Sequence, residues 1–267
     1  MSIHSVSMKG KRVQNEDKHN IITNLEGQDK KMAPINLYSV YDGHGGKFVS
    51  NFLFNNLPQC FTDKRVTYPL KKKYVKQVYE YWQNELKTKH LDNALNTGST
   101  CLVVTHYKED SAEYLNVLNT GDSRAMLCRN NIGMALTKDH KPNWPEEAIR
   151  IKSLGGEILF DGYDWRIHDL SVSRAFGDIS AEPHVTNMPD IYKYKISCDD
   201  KFLIVACDGL WDVFSNQDVA NFVLENCYDI QTNVRINKHI NIAKKLGEFA
   251  IAKGSGDNIT IIVVFLN

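Results

Sequence analysis

Residues 202–209 read Phe202-Leu203-Ile204-Val205-Ala206-Cys207-Asp208-Gly209. An unbroken apolar run of this length is typical of a β-strand, and the Asp-Gly pair marks the turn that ends it. The same order occurs earlier, where the strand-like residues 35–41, rich in β-branched and aromatic side chains, precede Asp42-Gly43. Strand ends are where a rigid sheet presents side chains to a cleft. These two stretches therefore predict a β-rich scaffold that carries carboxylates at its strand ends.

Other segments are rich in β-branched and aromatic residues and predict further strands. They are residues 100–107, 114–118, 125–128 and 259–265.

Helical periodicity is strongest in residues 69–89 and 236–252. The apolar positions, which repeat about every four residues, are Leu70, Tyr74, Val78, Trp82 and Leu86 in the first segment and Ile236, Ile240, Ala243, Leu246 and Ala250 in the second. This spacing predicts one buried stripe on each helix. Shorter helices are expected over residues 217–226, with Ser215 or Asn216 as the cap, and over 145–154.

Strands dominate both ends of the chain, and helices come in pairs rather than one between every two strands. This order argues against a regular βαβ array and favours antiparallel sheets with helices packed outside them. The fold class is therefore α+β and layered. Neither repeats nor linkers interrupt the pattern, so residues 1–267 are expected to form one domain.

The composition excludes several classes of protein. Lys+Arg and Asp+Glu both number 32, and the pI is about 7.1. Nucleic-acid or membrane-surface binding would need a basic excess. Apolar runs are far shorter than the ~20 residues that span a bilayer, and the first residues lack a secretory signal. Six cysteines without a CxxC pair favour a reducing compartment, cytoplasm or nucleus.

Acidic residues stand at the predicted strand ends. They are Glu16, Asp17, Asp42, Asp122, Asp208 and Asp257. Two such charges 4 Å apart would repel by about 4 kcal/mol near a protein surface, and a divalent cation removes that cost. Oxygen ligands select Mg²⁺, Mn²⁺ or Ca²⁺ over zinc. The alternative is a set of unrelated turns, because Asp-Gly is a common turn pair.

The spacing of residues along the chain argues against several other catalytic systems. No cysteine is followed six residues later by arginine, as a cysteine-based phosphatase requires. The glycine cluster at residues 43–47 lacks the spacing of a phosphate-binding P-loop. HExxH and GxSxG are both absent.

The ordered motifs resemble the type-2C, metal-dependent serine/threonine protein phosphatases. In chain order the matching segments are GKRVQNEDKH (10–19), YDGHGG (41–46), GST (98–100), NTGDSRA (119–125), LTKDHKP (136–142), SVSRAFGD (171–178), DGLWD (208–212) and GDNIT (256–260). Each motif alone is weak, but the ordered set spans residues 10–265. The resemblance implies a four-layer sandwich, in which two packed antiparallel sheets are flanked by pairs of helices.

The resemblance also implies two Mg²⁺ or Mn²⁺ ions. Asp42 would bridge them, Asp208 and Asp257 would complete one site, and Glu16 with the Gly43 carbonyl would serve the other. The positions of Asp122, Asp208 and Asp212 match those of the ligands of a weaker third metal site in the family. Asp17, Asn258 and Thr100 resemble groups that orient the waters of the metal centre.

Two further residues have implied chemical roles. Arg12 would bind the phosphate, because a guanidinium group can donate hydrogen bonds to two phosphate oxygens at once. The alternative is that Arg12 is an ordinary surface arginine. His44 would be the general acid for the departing alkoxide; the alternative is a histidine that supports the Asp42 turn. A water bridging the two ions would attack phosphoserine or phosphothreonine of a protein substrate without a phosphoenzyme. We expect a monomer.

One stretch departs from the family pattern. His168 stands where relatives have glycine, beside the segment that forms their substrate-side flap. This difference affects the flap and substrate preference, not the metal centre. Two other functions stay open from the sequence: a pseudophosphatase that uses the fold for binding, and a hydrolase of small phosphate esters.

Overall fold

The computed structural model describes residues 1–25, 35–63, 65–229 and 231–266. Within them the strands are β1 (Ser2–Met8), β2 (Lys18–Leu25), β3 (Ile35–Tyr41), β4 (Gly43–His44), β5 (Gly98–Ser99), β6 (Cys101–Glu109), β7 (Ala112–Thr120), β8 (Arg124–Arg129), β9 (Ile132–Ala135), β10 (Leu159–Phe160), β11 (Trp165–Arg166), β12 (Phe176–Gly177), β13 (Asp190–Lys195), β14 (Asp200–Ala206) and β15 (Ile259–Phe265). The helices are α1 (Phe48–Thr62), α2 (Lys72–Lys89), α3 (Leu91–Ala94), α4 (Pro145–Ser153), α5 (Asp208–Trp211), α6 (Asn216–Cys227) and α7 (Ile242–Ala252), with a 3₁₀ turn at Ile179–Ala181.

Two five-stranded antiparallel sheets form the centre of the molecule. The first has the strand order β1-β15-β14-β8-β9, and the second has β13-β7-β6-β3-β2. Short connections join β6 to β7 and β8 to β9, as antiparallel neighbours permit. Smaller pairings, β12-β5-β4 and β10-β11, lie outside these sheets.

Side chains that alternate along each strand fill two different layers. Leu203 and Val205 of β14 point into the core between the sheets, whereas Phe202 and Ile204 pack against α6 and α7. In the second sheet, Leu37 and Tyr41 pack toward α1 and α2. Strands covered on both faces need apolar residues at every position, which is why 202–207 reads as an unbroken apolar run. The predicted α+β, four-layer arrangement is confirmed.

The central strands agree best with the sequence predictions. β3 and β15 match the predicted segments residue for residue, and β6, β7, β8 and β14 differ by one or a few residues at their ends. The sequence predictions did not include the four edge strands of these sheets, β1, β2, β9 and β13, whose described side chains are exposed or only partly buried. An edge strand carries a weaker apolar signal because water reaches part of it.

The helix predictions hold in type but not at every boundary. α2 begins at Lys72, three residues later than expected, and α7 begins at Ile242, so Ile236 and Ile240 precede it. Asn241 caps α7 by accepting a hydrogen bond from the Lys244 amide. Ser215 caps α6 in a reciprocal capping box with Asp218, as one of the two predicted caps.

Helix α1 was missed by the sequence analysis. It contains Pro58, has no side-chain cap and carries no acidic residue in its first turn. Pro58 lacks the N–H that would bond the Phe54 carbonyl, and the Asn20 side chain donates to that carbonyl instead at 3.5 Å. The buried residues Val49, Leu53, Leu57 and Phe61 nevertheless follow a four-residue spacing that could have revealed the helix.

A buried ion network ties α4 to the segment before β12 and to the first residue of β13. Glu147 is 2% exposed and accepts hydrogen bonds from Arg150 at 2.8 Å and Arg174 at 2.5 Å. Arg174 also pairs with Asp190 at 2.9 Å. Burial alone raises the pKa of Glu147, but the hydrogen bonds and charges of Arg174 and Arg150 outweigh it and lower the pKa from 4.5 to about 2.

We expect Glu147→Gln to lower the free energy of unfolding at pH 7 by about 3 kcal/mol, the value of a pKa depressed by about 2.5 units. Because the folded-state pKa is the lower one, this contribution is present above pH 4.5 and is lost as the pH falls toward 2. Urea unfolding of both proteins at several pH values should therefore show a difference that shrinks in acid. The exposed Glu225→Gln is the control, and a difference independent of pH would contradict the assignment.

Candidate active site

A cleft of about 590 Å³ lies where the two sheets end. Asp42 follows β3 of the second sheet, whereas Asp208 follows β14 and Asp257 precedes β15 of the first. The cleft is lined by most of the residues singled out from the sequence: Arg12, Glu16, Asp42, Gly43, His44, Thr100, Asp122, Asp208, Asp257 and Asn258. The structure thus brings together carboxylates from distant parts of the chain.

Thr100 fixes the backbone of Asp42. The Thr100 amide donates to the Asp42 carbonyl at 2.9 Å, and the Asp42 amide donates to Thr100 Oγ1 at 3.1 Å. Ser123 holds the same hydroxyl at 2.8 Å. Thr100 therefore positions Asp42 through its main chain, an arrangement that sequence spacing could not predict.

Asn258 holds the loop that carries Arg12 and Glu16. Its Oδ1 accepts from the Glu16 amide at 2.8 Å, and its Nδ2 donates to the carbonyls of Lys9 at 2.8 Å and Gln14 at 2.9 Å. These bonds use both N–H donors of the side-chain amide, and its oxygen accepts one further bond. In this structure Asn258 thus holds the loop in place through its side chain.

Gly43 allows the Glu16 backbone to approach the Asp42 turn. A Cβ at position 43 would lie 2.6 Å from the Glu16 carbonyl oxygen. One carboxylate oxygen of Glu16 accepts from the Gly46 amide at 3.1 Å, and the other accepts from Gln14 at 2.7 Å. The glycines of this turn therefore bring Glu16 to the cleft edge.

Crowded negative charge dominates the floor of the cleft. Burial raises the pKa of Asp42 well above its ordinary value, and the charges of Asp17 and Asp208 raise it further. The pKa of Asp208 is raised by burial, then by Asp122 and Asp212, against the opposing charge of Lys141. Without a counterion these groups tend to hold protons.

Asp17 and Asp212 do not line the cleft but interact with it. Asp17 is buried behind Asp42 and accepts a 2.6 Å hydrogen bond from Thr260; burial raises its pKa to about 6. Partial burial of its carboxyl group raises the pKa of Asp212 to about 6, against the charge of Lys141. Both groups therefore belong to one electrostatic cluster with Asp42 and Asp208.

The cluster fits a hard divalent cation. Oδ1 of Asp17 and Oδ1 of Asp208 are buried and have no hydrogen-bond partner among the described residues. A buried oxygen without a hydrogen-bond partner destabilises the fold unless a bound ligand pairs with it. The surrounding donors are carboxylate and carbonyl oxygens, which are the ligands of Mg²⁺ and Mn²⁺.

Cys207 was not considered as a site residue from the sequence. Its sulfur and carboxylate oxygens of Asp17 and Asp42 lie within 4.8 Å of one another. Burial raises the thiol pKa well above 9, and the neighbouring Asp17 and Asp42 charges add to the shift. The Thr260 amide donates to the sulfur at 3.1 Å. A protonated thiol is a poor ligand for a hard cation, so Cys207 forms part of the floor.

Asp122 already has a cationic partner. Lys141 donates to its Oδ2 at 2.5 Å. Burial alone would lower the pKa of Lys141, but the charges of Asp122 and Asp208 outweigh it and raise the pKa. An ammonium group therefore neutralises part of the charge where the third ion was expected.

Arg12 reaches the cleft in an ion pair. Its guanidinium contacts Asp257 at 2.7 Å, and its side chain is 61% exposed. This position agrees with a guanidinium at the cleft mouth, but the contact is to a predicted metal ligand. A phosphate at Arg12 would therefore compete with Asp257 for the same donors.

His44 pairs with Asp178, a residue of a recognised motif that received no role from the sequence. The His44 Nε2 to Asp178 Oδ2 distance is 2.7 Å, and Asp178 is buried. Burial would lower the pKa of His44, but the bond and charge of Asp178 outweigh it and raise the pKa. A Cβ at Gly98 would meet Asp178 Oδ2 at 2.0 Å, so this glycine leaves room for the pair.

The segment beside the cleft accommodates the departure from the family pattern at His168. Arg166, Asp169 and Leu170 line one side of the cleft. His168 has a φ of +49°, in the left-handed region that favours glycine. Its ring stacks on His184 with centroids 5.0 Å apart and an Nε2 to Nδ1 distance of 2.8 Å. This contact supports a backbone conformation that glycine would adopt freely.

Comparisons with known proteins agree with this geometry. The family model "Protein phosphatase 2C" matches residues 1–259. A PP2C-like domain-containing protein of Acanthamoeba polyphaga mimivirus is 43% identical over 175 residues, which cover 60% of this chain and 98% of that protein. "Probable protein phosphatase 2C 71" of Arabidopsis thaliana is 36% identical over 97% of this chain, which spans about half (54%) of that relative.

A solved structure shows the same fold. The crystal structure of serine-threonine phosphatase 2C from Toxoplasma gondii has a TM-score of 0.80 and 23% identity, covering 98% of this chain and 94% of that one. The family match along almost the whole sequence, together with the shared fold, shows that the chain belongs to the protein phosphatase 2C family of serine/threonine phosphatases.

Proposed function

We propose that this chain hydrolyses phosphoserine and phosphothreonine in proteins, with two Mg²⁺ or Mn²⁺ ions held in the cleft. The observation that carries the proposal is the meeting of Glu16, Asp42, Asp208 and Asp257 at one cleft. The chemistry follows from the residues around the cleft and from the family to which the chain belongs.

Asp42 would contact both ions, because it lies at the centre of the acidic cluster. Asp208 and Asp257 would complete one site, and Glu16 with the Gly43 carbonyl would complete the other. Asp122 and Asp212 would hold a weaker third ion, since Lys141 already neutralises part of that charge. When bound, the ions supply an activated water nucleophile and neutralise charge on the phosphoryl group.

The protein side chains would divide the remaining work. Arg12 would bind and orient two oxygens of the phosphate. His44, held by Asp178, would give its proton to the departing serine or threonine oxygen. Thr100, Asp17 and Asn258 would position these groups through the contacts described above.

The attack would come from water, without a phosphoenzyme. The cleft lining is rich in acids, the Thr100 hydroxyl is held by the Asp42 amide and Ser123, and Cys207 is a buried thiol with a raised pKa. A neutral thiol is a poor nucleophile. Direct hydrolysis therefore accounts for the residues better than a covalent intermediate.

The wider context is also part of the proposal. Residues 1–267 would act as one catalytic domain and as a monomer in the cytoplasm or nucleus, on phosphoproteins rather than nucleic acids or membranes. No helix among the described residues combines the length and apolar character needed to cross a bilayer. One plant relative is named as mitochondrial, so the compartment stays a prediction.

We expect Asp42→Asn and Asp208→Asn each to reduce turnover of a phosphopeptide by more than about a hundredfold. Because each change removes one charge from a crowded cluster, the melting temperature in EDTA should stay unchanged or rise. Turnover with Mn²⁺ and calorimetry in EDTA provide the two measurements, with the exposed Asp92→Asn as control. Near-normal turnover by both variants would remove the metal-ligand assignment.

His44→Gln should slow the hydrolysis of alkyl phosphates by about 10²-fold or more, but that of p-nitrophenyl phosphate much less, because nitrophenolate leaves without a proton. Asp178→Asn should show the same pattern more weakly. The ratio of kcat/KM for the two substrates measures the effect. Equal losses on both substrates would contradict the acid role of His44.

A phosphopeptide and a small phosphate ester, each assayed with Mn²⁺ and with chelator, distinguish the remaining functions. We expect metal-dependent turnover with kcat/KM at least tenfold higher for the phosphopeptide, because contacts outside the phosphate add transition-state binding. A preference for the small ester would indicate a metabolite hydrolase. Peptide binding without turnover would indicate a pseudophosphatase.

A further inference from the structure

A second cavity, of about 680 Å³, lies at the opposite end of the first sheet; we call it the distal cavity. It is lined by Lys201 at the start of β14, by Arg235 and Lys238 from the α6–α7 connection, and by Asn131 of the β8–β9 turn. Asp208 follows the other end of β14. Seven strand residues at about 3.3 Å each put the two cavities on the order of 20 Å apart.

Arg235 lines the distal cavity, and one edge of its guanidinium group has no hydrogen-bond partner among the described residues. Its Nη1 donates to Ser2 Oγ at 2.6 Å, and its charged group lies 3.4 Å above the Phe265 ring. Its Nε and Nη2 atoms are buried and have no hydrogen-bond partner in the described part of the chain. These two atoms form one edge of the guanidinium fork, which can bind two oxygens of one anion.

Lys201 is a buried cation held by neutral groups. It is 8% exposed, and its ammonium donates to Asn131 Oδ1 at 2.5 Å and to Asn233 Oδ1. The Tyr228 ring lies 4.7 Å from the ammonium. Burial lowers the pKa of Lys201 and also that of Arg235, and neither shift has a carboxylate among its causes.

Among the described residues, no carboxylate forms an ion pair with Lys201 or Arg235. Asp200 pairs with Arg129 through two hydrogen bonds, at 2.7 and 2.8 Å. Asp199 lines the cavity but forms no ion pair with either cation among the described residues. Lys238 adds a third positive side chain to the lining. A buried charge without a partner destabilises a fold, so such a pair is expected where a ligand provides the opposite charge.

We propose that the distal cavity binds a phosphate group. The free Nε–Nη2 edge of Arg235 would bind two phosphate oxygens, and Lys201 and Lys238 would neutralise the remaining charge. The group could belong to inorganic phosphate or to a phosphorylated side chain of a protein. Either source would give the enzyme a phosphate site separate from its catalytic cleft.

Calorimetry of residues 1–267 in EDTA tests this site, because chelation weakens phosphate binding in the catalytic cleft. Inorganic phosphate at ten times its Kd should raise the melting temperature of the wild type by about 3 °C. Arg235→Met and Lys201→Met should abolish the rise, whereas Arg12→Met and the exposed Lys73→Met should keep it. Without phosphate, Arg235→Met should melt at the same or a higher temperature, because its stem still covers Phe265.

A rise that survives in both Arg235→Met and Lys201→Met, or no rise in the wild type at about 20 mM phosphate, would overturn the proposal. An equal rise with acetate would overturn the assignment to phosphate.

If a variant fails to fold, amide chemical shifts of the wild type decide. Phosphate should change the shifts of Asn131, Tyr228 and Arg235, and changes only around Asp42 would contradict the site. A phosphoserine peptide that changes the chemical shifts of the same amides as inorganic phosphate would identify a protein-borne phosphate as a ligand. If the peptide changes only the shifts of amides in the catalytic cleft, free phosphate is the ligand of the distal cavity.

The distal variants should also keep near-normal turnover of p-nitrophenyl phosphate with Mn²⁺. Their substitutions lie at the far end of β14, away from the acidic cluster. This control separates the distal site from the proposed catalytic function. Loss of turnover together with loss of the phosphate response would assign the response to the catalytic cleft and overturn the proposal.

Discussion

Repulsion between carboxylates is the constraint on which this structure depends. Carboxylate oxygens of Asp17 and Asp42 lie within 4.8 Å of each other, and Asp122, Asp208 and Asp257 add to the same field. Two ionised carboxylates about 4 Å apart repel by about 4 kcal/mol near a protein surface. The rest of the fold must hold these groups in place against that force. A site assembled under repulsion is well suited to bind concentrated positive charge.

Two rigid features provide the opposing stability. The first is the pair of sheets, whose central strands are buried on both faces by the inter-sheet core and by the helix layers. The second is a set of neutral hydrogen bonds, in which Thr100 holds the Asp42 backbone and Asn258 holds the Glu16 loop. Neutral groups can position the acids without cancelling the charge that a cation needs.

The two ends of the first sheet have opposite electrostatic character. At one end acids gather around Asp208, and at the other Lys201 and Arg235 form no ion pair with a carboxylate among the described residues. The chain as a whole is neutral, with 32 basic and 32 acidic residues. Net charge therefore gave no indication of either site. The distribution of charge becomes visible only when strand ends are grouped in space.

The sequence by itself determined the central strands, the fold class and the residues of the acidic cluster. Unbroken apolar runs such as 202–207 need cover on both faces, and the ordered acidic motifs are specific in type and spacing. Helix α1 was not predicted because Pro58 and the missing cap weaken its local signal, whereas its stability comes from packing of Val49 and Leu53.

Only the tertiary structure decided the pairing of His44 with Asp178, of Lys141 with Asp122 and of Arg12 with Asp257. The partners in these contacts are 19 to 245 residues apart in the chain, so no local pattern records them. Their geometry depends on how the two sheets pack against each other, which is a property of the whole fold.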